Sequence, residues 1–320
     1  MIRESDIGQL RDLMSDTYDE ERLFQNESMS RHTSFGAGGE AEVYIDATGE
    51  ELNRLVPFLR EKNIPYTVIG AGSNLLVSDK GLEGVVIGIG KYMMTSAIQN
   101  PYIEADAGCL LPVISNLAAE NELSGLEFAA GIPGSLGGAI AMNAGAYGGE
   151  IKDVIESVTV LNAAGELSGF TAEDCGFSYR HSVFLDREDL IVVGARLRLT
   201  PKRGMGEEIR ALMKTNMDKR RSSQPIEFRS AGSTFKRVDT GAGDDAADRR
   251  PAWQLIRDAG CKGLSIGGAQ VSEKHCGFVI NTGDATATDI YRLIQTVRDK
   301  VRDESGVVLD CEVRFLGDFS

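Results

Sequence analysis

The stretch VIGAGSNLLV, residues 68–77, places a tight glycine turn between two apolar runs. Glycines at positions 70 and 72 allow backbone conformations that other residues avoid, so the turn can gather several backbone N–H groups around an anion. A Rossmann dinucleotide site would need a third glycine and a helix that opens at the turn. Here the apolar run LLV continues directly into SDKG, which is typical of a strand and a second turn. The stretch favours an anion-binding loop between strands, and a β-turn without a ligand is the alternative.

A second glycine-rich stretch, AGIPGSLGGAIAMNAGAYGG at residues 130–149, carries no charged side chain. Small residues at nearly every other position let the backbone approach a planar or phosphorylated ligand closely. Without lysine or arginine, a diphosphate would have to be bound by N–H groups and helix ends. The alternative is a tightly packed glycine-rich crossover with no ligand.

Composition excludes several classes of partner. The chain has 320 residues, enough for about two domains of ~150 residues each. Its formal net charge of −14 argues against nucleic acid. The N-terminus has charges throughout, and the longest uncharged stretch, residues 128–149, contains Pro133 and many glycines, so no signal peptide and no membrane helix are expected.

Cysteine and histidine spacing argues against a metal site. The five cysteines are an odd number with no C-x-x-C pair, which predicts neither a disulfide framework nor zinc binding. His32, His181 and His275 lack metal-ligand spacing. We therefore expect a cytoplasmic protein without a metal ion and without a nucleic-acid or membrane partner.

Hydrophobic periodicity predicts an α+β fold. Helices are expected over residues 50–63, 110–123, 207–221, 251–259 and 288–304, and strands over 65–69, 154–161, 190–199 and 307–315. In the last of these strands, alternation would place Glu312 on the polar face. The basic, polar run KRRSSQP at 219–225 is a plausible domain boundary, and residues 239–249 form an acidic segment poor in apolar side chains.

Four further blocks make a family resemblance specific: FSYRHS at 177–182, AGSTFK at 231–236, KGLSIGGAQVSEKHCGFVIN at 262–281 and DCEVRFLG at 310–317. With the two glycine stretches, they resemble the vanillyl-alcohol-oxidase-type (PCMH-type) flavoproteins. Within them, the chain is similar to the UDP-N-acetylenolpyruvoylglucosamine reductases in their shorter, type II form. The resemblance implies a two-subdomain FAD-binding region, residues 1–100 and 101–220, followed by a smaller α+β substrate-binding domain, residues 221–320.

The chemistry implied by the resemblance is reduction of an enolpyruvyl vinyl ether in peptidoglycan precursor synthesis. NADPH would serve as co-substrate, non-covalently bound FAD would pass the hydride, and UDP-N-acetylglucosamine enolpyruvate would accept it. Charge then builds on the substrate carboxylate, and the neighbouring carbon needs a proton. Such a site requires a fixed cation, a weak acid and a polar group that orients them.

The resemblance assigns this catalytic chemistry to three residues. Arg180 would be the cation, since its planar fork matches a carboxylate and keeps its charge. Ser233 would be the proton donor, although a serine in a glycine turn more often caps its own backbone. Glu312 would orient or relay the proton, and a solvent-facing glutamate is the alternative.

The implied ligand-binding residues are more numerous. Tyr179, Lys262, Lys274 and His275 would bind the substrate, with a packed structural role equally open for His275. The implied FAD contacts lie in the two glycine stretches: Gly70, Ala71, Gly72, Ser73, Asn74, Leu75, Gly131, Ile132, Pro133, Gly134, Gly137, Gly138, Ala139, Asn143, Gly145, Ala146 and Tyr147.

One departure from the family pattern puts the edge of the substrate site in doubt. The family usually has Asn-Pro after Gly-Ser-x-Phe-Lys, whereas this chain has Arg237 and Val238 followed by the acidic segment. Two other functions stay open from the sequence. One is a flavin oxidase of the same superfamily, which would not need Arg180, Ser233 and Glu312 together. The other is a dinucleotide-binding protein without catalysis.

Overall fold

The computed structural model describes residues 2–14, 21–238 and 251–320, so the acidic segment 239–249 lies outside the described residues. The polypeptide forms two compact units. The first comprises Met1–Glu27, Ala41–Ala71 and Glu83–Lys219, and the second comprises Ser28–Glu40, Gly72–Leu82 and Arg220–Ser320. The chain passes from one unit into the other within the first glycine turn. The division at residues 100 and 220 stays a prediction.

Seven α-helices occur in the described part of the chain. They are α1 Glu4–Leu13, α2 Gly49–Glu61, α3 Leu111–Glu120, α4 Leu136–Ala141, α5 Gly206–Ser223, α6 Ala252–Asp258 and α7 Ala287–Ser305. Local signals explain the best-defined ends. The Thr48 and Thr286 hydroxyls open capping boxes at α2 and α7, and Gly306 ends α7 with φ of 72°. All five predicted helices are confirmed, with bounds shifted by a few residues.

The strands are short and belong to several sheets. In chain order they are β1 Leu23–Ser28, β2 Glu40–Asp46, β3 Tyr66–Ile69, β4 Leu75–Val77, β5 Leu82–Gly88, β6 Ser96–Gln99, β7 Tyr102–Asp106, β8 Leu123–Ser124, β9 Gly145–Ala146, β10 Gly149–Glu150, β11 Ile155–Leu161, β12 Leu167–Thr171, β13 Ile191–Arg198, β14 Thr200–Pro201, β15 Ser265–Ile266, β16 Ala269–Val271, β17 Val279–Asn281 and β18 Arg314–Leu316. Helices and strands together confirm the α+β class.

The first unit contains two larger sheets around one hydrophobic core. The order β1-β2-β5-β3 forms one sheet, in which β3 and β5 run parallel. The other is antiparallel with the order β12-β11-β13-β7-β6. Fully buried side chains from helices and strands fill the core, among them Leu52, Leu55, Ile114, Val158 and Leu197.

The second unit has its own core under α6 and α7. The helix α7 buries Ile290, Leu293, Ile294, Val297 and Val301, which is the stripe its sequence predicts. It packs on the antiparallel sheet β15-β16-β17. The strand β18 pairs in parallel with β4, so the C-terminal segment adjoins the strand that leaves the first glycine turn.

The predicted final strand over residues 307–315 is wrong in extent. Only Arg314–Leu316 is a strand, and Glu312 lies in a bend just before it. The reason is the direction of the hydrogen bonds. The Glu312 N–H donates to the Thr234 carbonyl (2.8 Å) within a single antiparallel bridge between Phe235 and Cys311, and the Glu312 carbonyl accepts from the Asn74 side chain (2.9 Å), so the pairing stops after one bridge and forms no strand. Burial follows the predicted faces only in part: Leu309 and Val313 are buried and Asp310 and Arg314 exposed, but Cys311 and Glu312 are both half-buried.

Among the described residues, no helix combines the length and the apolar character that crossing a membrane requires.

Candidate active site

In the first unit, Gly70 lies against the buried Ser135 at the start of α4. Gly70 follows β3 directly, as the sequence predicts, and a Cβ atom at this position would overlap the Ser135 hydroxyl. Ser135 is 2 % exposed, and its Oγ has no hydrogen-bond partner within the described structure. A buried hydroxyl without a partner is unfavourable, so the pair points to a polar ligand at this place.

The second glycine stretch contains the short helix α4 and the hairpin β9–β10. The N–H groups of Leu136 and Gly137 donate to the carbonyls of Cys109 and Ala107 (2.8 Å each). A Cβ atom on Gly137 would lie 3.0 Å from the Ala107 Cβ, which explains why a small residue is needed there. Because its N–H is already bonded, Gly137 contributes close packing rather than a donor for a phosphate.

The other predicted cofactor contacts of this stretch differ in burial. Gly134, Ala139 and Asn143 are buried, whereas Pro133, Gly138 and Tyr147 are exposed; Gly131, Ile132, Gly145 and Ala146 are half-buried. Gly145 and Ala146 form β9, which pairs antiparallel with β10.

Arg180 lies in a tight turn. Ser178 and His181 pair across this turn, and Arg180 takes φ of 54°, a left-handed conformation uncommon for arginine. Its guanidinium donates to the carbonyls of Gly145 (2.8 Å) and Asn143 (3.4 Å). The guanidinium also stands 5.0 Å from the centre of the Tyr179 ring, so the neighbouring predicted substrate residue packs against it.

The environment of the Arg180 side chain is partly charged. Its Nη1 lies 3.9 Å from Glu150 Oε1, and the side chain is 17 % exposed. Lys152 Nζ pairs with the same glutamate at 3.0 Å, an ion pair that raises the lysine pKa. Glu150 therefore faces two cations, and the Arg180 guanidinium stays partly accessible.

In the second unit, the rest of the first glycine turn packs on residues 32–34. Gly72 has φ of 62°, and a Cβ atom there would overlap the His32 carbonyl oxygen. The Gly72 carbonyl accepts from Ser34 N–H (3.1 Å). Ser73, Asn74 and Leu75 are half-buried, and Ala71, still within the first unit, is exposed. The predicted strand after the turn is present as β4, which agrees with the exclusion of a Rossmann helix.

Ser233 and Glu312 belong to segments that are hydrogen-bonded to each other. Thr234 is fully buried, and its carbonyl accepts from the Glu312 N–H. The Thr234 N–H donates to the Gly277 carbonyl (2.8 Å), and the Thr234 Oγ1 accepts from the Val279 N–H (3.0 Å). Ser233 is exposed and Glu312 half-buried, so this backbone network presents both side chains at accessible positions.

His275 is packed between aromatic rings. The Trp253 ring centre lies 6.0 Å away and the Phe278 ring 5.0 Å away, and Nδ1 accepts from Gly277 N–H (3.1 Å). Burial lowers the pKa of His275, so the neutral imidazole is favoured. The contacts support the structural alternative for this residue.

Of the two predicted substrate lysines, Lys274 already has protein partners. Its ammonium donates to the Arg221 carbonyl (2.8 Å) and lies 3.6 Å from Glu227 Oε2. Lys262 is exposed and stays a candidate phosphate partner.

Comparison with known proteins identifies the family. Residues 224–316 match the UDP-N-acetylenolpyruvoylglucosamine reductase C-terminal domain, and residues 43–170 match an FAD binding domain. The reductase of Agathobacter rectalis is 47% identical over 93% of this chain and 95% of its own, and that of Syntrophomonas wolfei is 45% identical over 93% and 96%. The chain belongs to the UDP-N-acetylenolpyruvoylglucosamine reductase family. The crystal structure of that reductase (MurB) from Thermus caldophilus has 34% identity and a TM-score of 0.76, covering 92% of this chain and 98% of its own.

Membership of the reductase family makes the chain an FAD-dependent oxidoreductase, and its residues fit the cofactor. The buried, unpartnered Ser135 hydroxyl at the start of α4 supplies a donor for a polar group of the cofactor. Within the described residues, no histidine, cysteine, aspartate or glutamate cluster could hold a metal ion.

The sequence interpretation missed Ser135, which lies between the predicted contacts at 134 and 137. Its only sequence signal is the position of a hydroxyl inside an otherwise apolar glycine stretch, next to a helix start. Its pairing with Gly70 needs the fold, because the two residues are 65 positions apart, 135 against 70.

Proposed function

We propose that this chain catalyses the NADPH-dependent reduction of UDP-N-acetylglucosamine enolpyruvate to UDP-N-acetylmuramate. FAD, when bound, would supply the hydride transfer between NADPH and the substrate. The observation that carries the proposal is the hydrogen bond from the Glu312 N–H to the carbonyl of Thr234, the residue after Ser233, which holds the two segments next to each other. The chain that contains them is 47% identical to a curated reductase. A cytoplasmic location and the absence of nucleic-acid and membrane partners stay predictions.

Each proposed catalytic residue has a distinct task. The Arg180 guanidinium would stabilise the negative charge that develops on the substrate carboxylate. The Ser233 hydroxyl would donate the proton to the carbon next to that carboxylate. Glu312 would orient the donor or the enol, since its main chain is bonded to the residue that follows Ser233.

The basic experiment measures both halves of the reaction. The purified protein should bind FAD, NADPH should bleach the flavin absorbance, and UDP-N-acetylglucosamine enolpyruvate should restore it under anaerobic conditions. Rapid reoxidation by air without any response to this substrate would favour a flavin oxidase. A protein that takes up no FAD would refute the proposal.

The role of Ser233 is tested by Ser233→Ala. We expect flavin reduction by NADPH to stay close to wild type, while reoxidation by the substrate slows by about 10²- to 10⁴-fold, the usual contribution of a general acid. Ser233→Cys keeps a proton donor and should retain part of the rate. Ser168→Ala, at an exposed serine on β12, is the control. Equal slowing of both halves would remove Ser233 from this role.

A further inference from the structure

Each glycine stretch contains one asparagine whose side-chain amide is bonded to a segment that carries a proposed catalytic residue. In the first unit, Asn143 Nδ2 donates to the Ser178 carbonyl at 2.9 Å. In the second unit, Asn74 Nδ2 donates to the Glu312 carbonyl at 2.9 Å. The family resemblance implies that both asparagines contact FAD, but both amides donate to the protein main chain.

We infer that Asn143 and Asn74 are positioning residues, which fix the main chain around Arg180 and Glu312 respectively. The inference rests on the proposed function, because it takes its catalytic residues from there. It assigns to the glycine stretches a second task beside cofactor binding.

The bonding of Asn143 leaves no amide donor for a phosphate. Asn143 is fully buried, and its Nδ2 donates to Glu150 Oε2 at 3.1 Å as well as to the Ser178 carbonyl. An asparagine amide has two N–H donors, so both are used. The Oδ1 atom accepts from Lys152 N–H at 3.2 Å, and an acceptor oxygen does not bind an anion. The side chain is therefore committed to the protein.

The Asn143 bond reaches a turn that needs support. Ser178 and His181 exchange two main-chain hydrogen bonds, 3.1 and 3.3 Å long, and Tyr179 and Arg180 form the two-residue turn between them. A left-handed arginine is unfavourable and persists only where its surroundings hold it. Asn143 holds the turn twice, by its side chain to Ser178 and by its carbonyl to the Arg180 guanidinium (3.4 Å).

Asn74 plays the corresponding part for Glu312. Its side chain binds the Glu312 carbonyl, and its own carbonyl accepts from Arg314 N–H at 3.0 Å. With the Thr234 bond to the Glu312 N–H, both main-chain polar groups of Glu312 are held. Removing the Asn74 amide would free the carbonyl on one side and let the Glu312 side chain move relative to Ser233.

The test uses Asn143→Gly, which tolerates the φ of 41° at this position, and Asn74→Ala. We expect wild-type FAD content, flavin reduction by NADPH within about twofold of wild type, and reoxidation by the substrate about 10- to 100-fold slower, the effect of misplacing a reacting group by about 1 Å. Amide hydrogen exchange should accelerate at residues 178–181 in Asn143→Gly and at residues 312–314 in Asn74→Ala. Asn121→Ala, which removes a 2.9 Å side-chain bond to the Leu117 carbonyl at an exposed helix end, is the matched control.

Two results would overturn the inference. One is a loss of FAD affinity together with equal slowing of both half-reactions, which would make the asparagines cofactor ligands. The other is wild-type reoxidation with unchanged hydrogen exchange. If Asn143→Gly does not fold, Asn143→Asp keeps the side-chain size and replaces the donor by a carboxylate beside Glu150, near Arg180 and Lys152.

Protonation of the new aspartate would restore an O–H donor. The rate of flavin reoxidation in Asn143→Asp, divided by the wild-type rate, should therefore rise as the pH falls. A ratio independent of pH would count against the inference. A wild-type enzyme that NADPH reduces and the substrate fails to reoxidise would instead refute the proposed function, while the hydrogen-exchange results would still report on the two asparagine bonds.

Discussion

Replacing Gly70 by alanine tests the contact between Gly70 and Ser135. Gly70 lies outside the left-handed region, so the substitution adds a methyl group without backbone strain. That methyl group would overlap the Ser135 hydroxyl, while the Ser135 Cβ lies at an ordinary 3.4 Å. Overpacking costs about 1–3 kcal/mol in general. Because the Ser135 Oγ ends a rotatable side chain and has no hydrogen bond to lose, we expect Gly70→Ala to lower the free energy of unfolding of the apo-protein by about 1 kcal/mol, the lower end of that range.

Removing the Ser135 hydroxyl should abolish the loss of stability that Gly70→Ala causes. Ser135→Ala alone deletes a buried Oγ without a partner, so the apo-protein should be as stable as wild type or more stable. In the double variant, the new methyl group meets only the Cβ at residue 135, and stability should return to that of Ser135→Ala. The double-mutant cycle should therefore give a coupling energy of about 1 kcal/mol.

Two assays separate stability from cofactor binding. Urea unfolding of the apo-protein, monitored by circular dichroism, gives the free energy of unfolding of each variant. Hydrogen exchange in α4 reports the local stability next to residue 135. Titration with FAD should show Ser135→Ala and the double variant binding about 10- to 100-fold more weakly, since a hydrogen bond to a charged group contributes about 1.5–3 kcal/mol. Additive stability effects would refute the contact, and unchanged FAD affinity would remove Ser135 from the cofactor site.

Three further predictions concern stability. Glu51→Gln breaks the buried ion pair with Arg22 (2.6 Å) and should cost about 3–5 kcal/mol in urea unfolding, and an unchanged midpoint would contradict this. Asp79→Ala removes the carboxylate that accepts from two N–H groups at the start of α7, and should cost about 1–2 kcal/mol. The fluorescence of Trp253, the sole tryptophan, follows this loss. Burial lowers the pKa of His275 below 6.5, so its contribution to stability is present above that pH and lost as the pH falls toward the folded-state pKa. A titration of native Trp253 fluorescence with a midpoint at or above 6.5 would contradict it.

The sequence predicts those elements whose signals are local. The stripe from Ile290 to Val301 and the glycine at 306 define α7 without reference to any other part of the chain. The turn after β3 is equally local, since an apolar run follows Asn74 where a Rossmann site would have a helix. Family blocks then place the candidate residues, although their roles rest on the resemblance.

Features that depend on distant partners could not be predicted. The alternating pattern before Arg314 is typical of a strand, but the hydrogen bonds of Glu312 go to Thr234 and Asn74, which are 78 and 238 positions away, 312 against 234 and 74. The left-handed turn at Arg180 is also invisible in the sequence, because it is held by Asn143 rather than by glycine.

The two glycine stretches combine two kinds of residue whose tasks differ physically. The glycines are needed because no side chain fits at their positions: a Cβ at Gly70 would overlap the Ser135 hydroxyl, and one at Gly72 would overlap the His32 carbonyl. Asparagines act by what they donate, and in both stretches the acceptor is a main-chain carbonyl. Substitutions of the glycines should therefore change FAD affinity and local packing, whereas substitutions of the asparagines should change the substrate half-reaction. Neighbouring positions in one turn would then give separable defects, because the glycines act on packing and cofactor binding and the asparagines act on the position of catalytic residues.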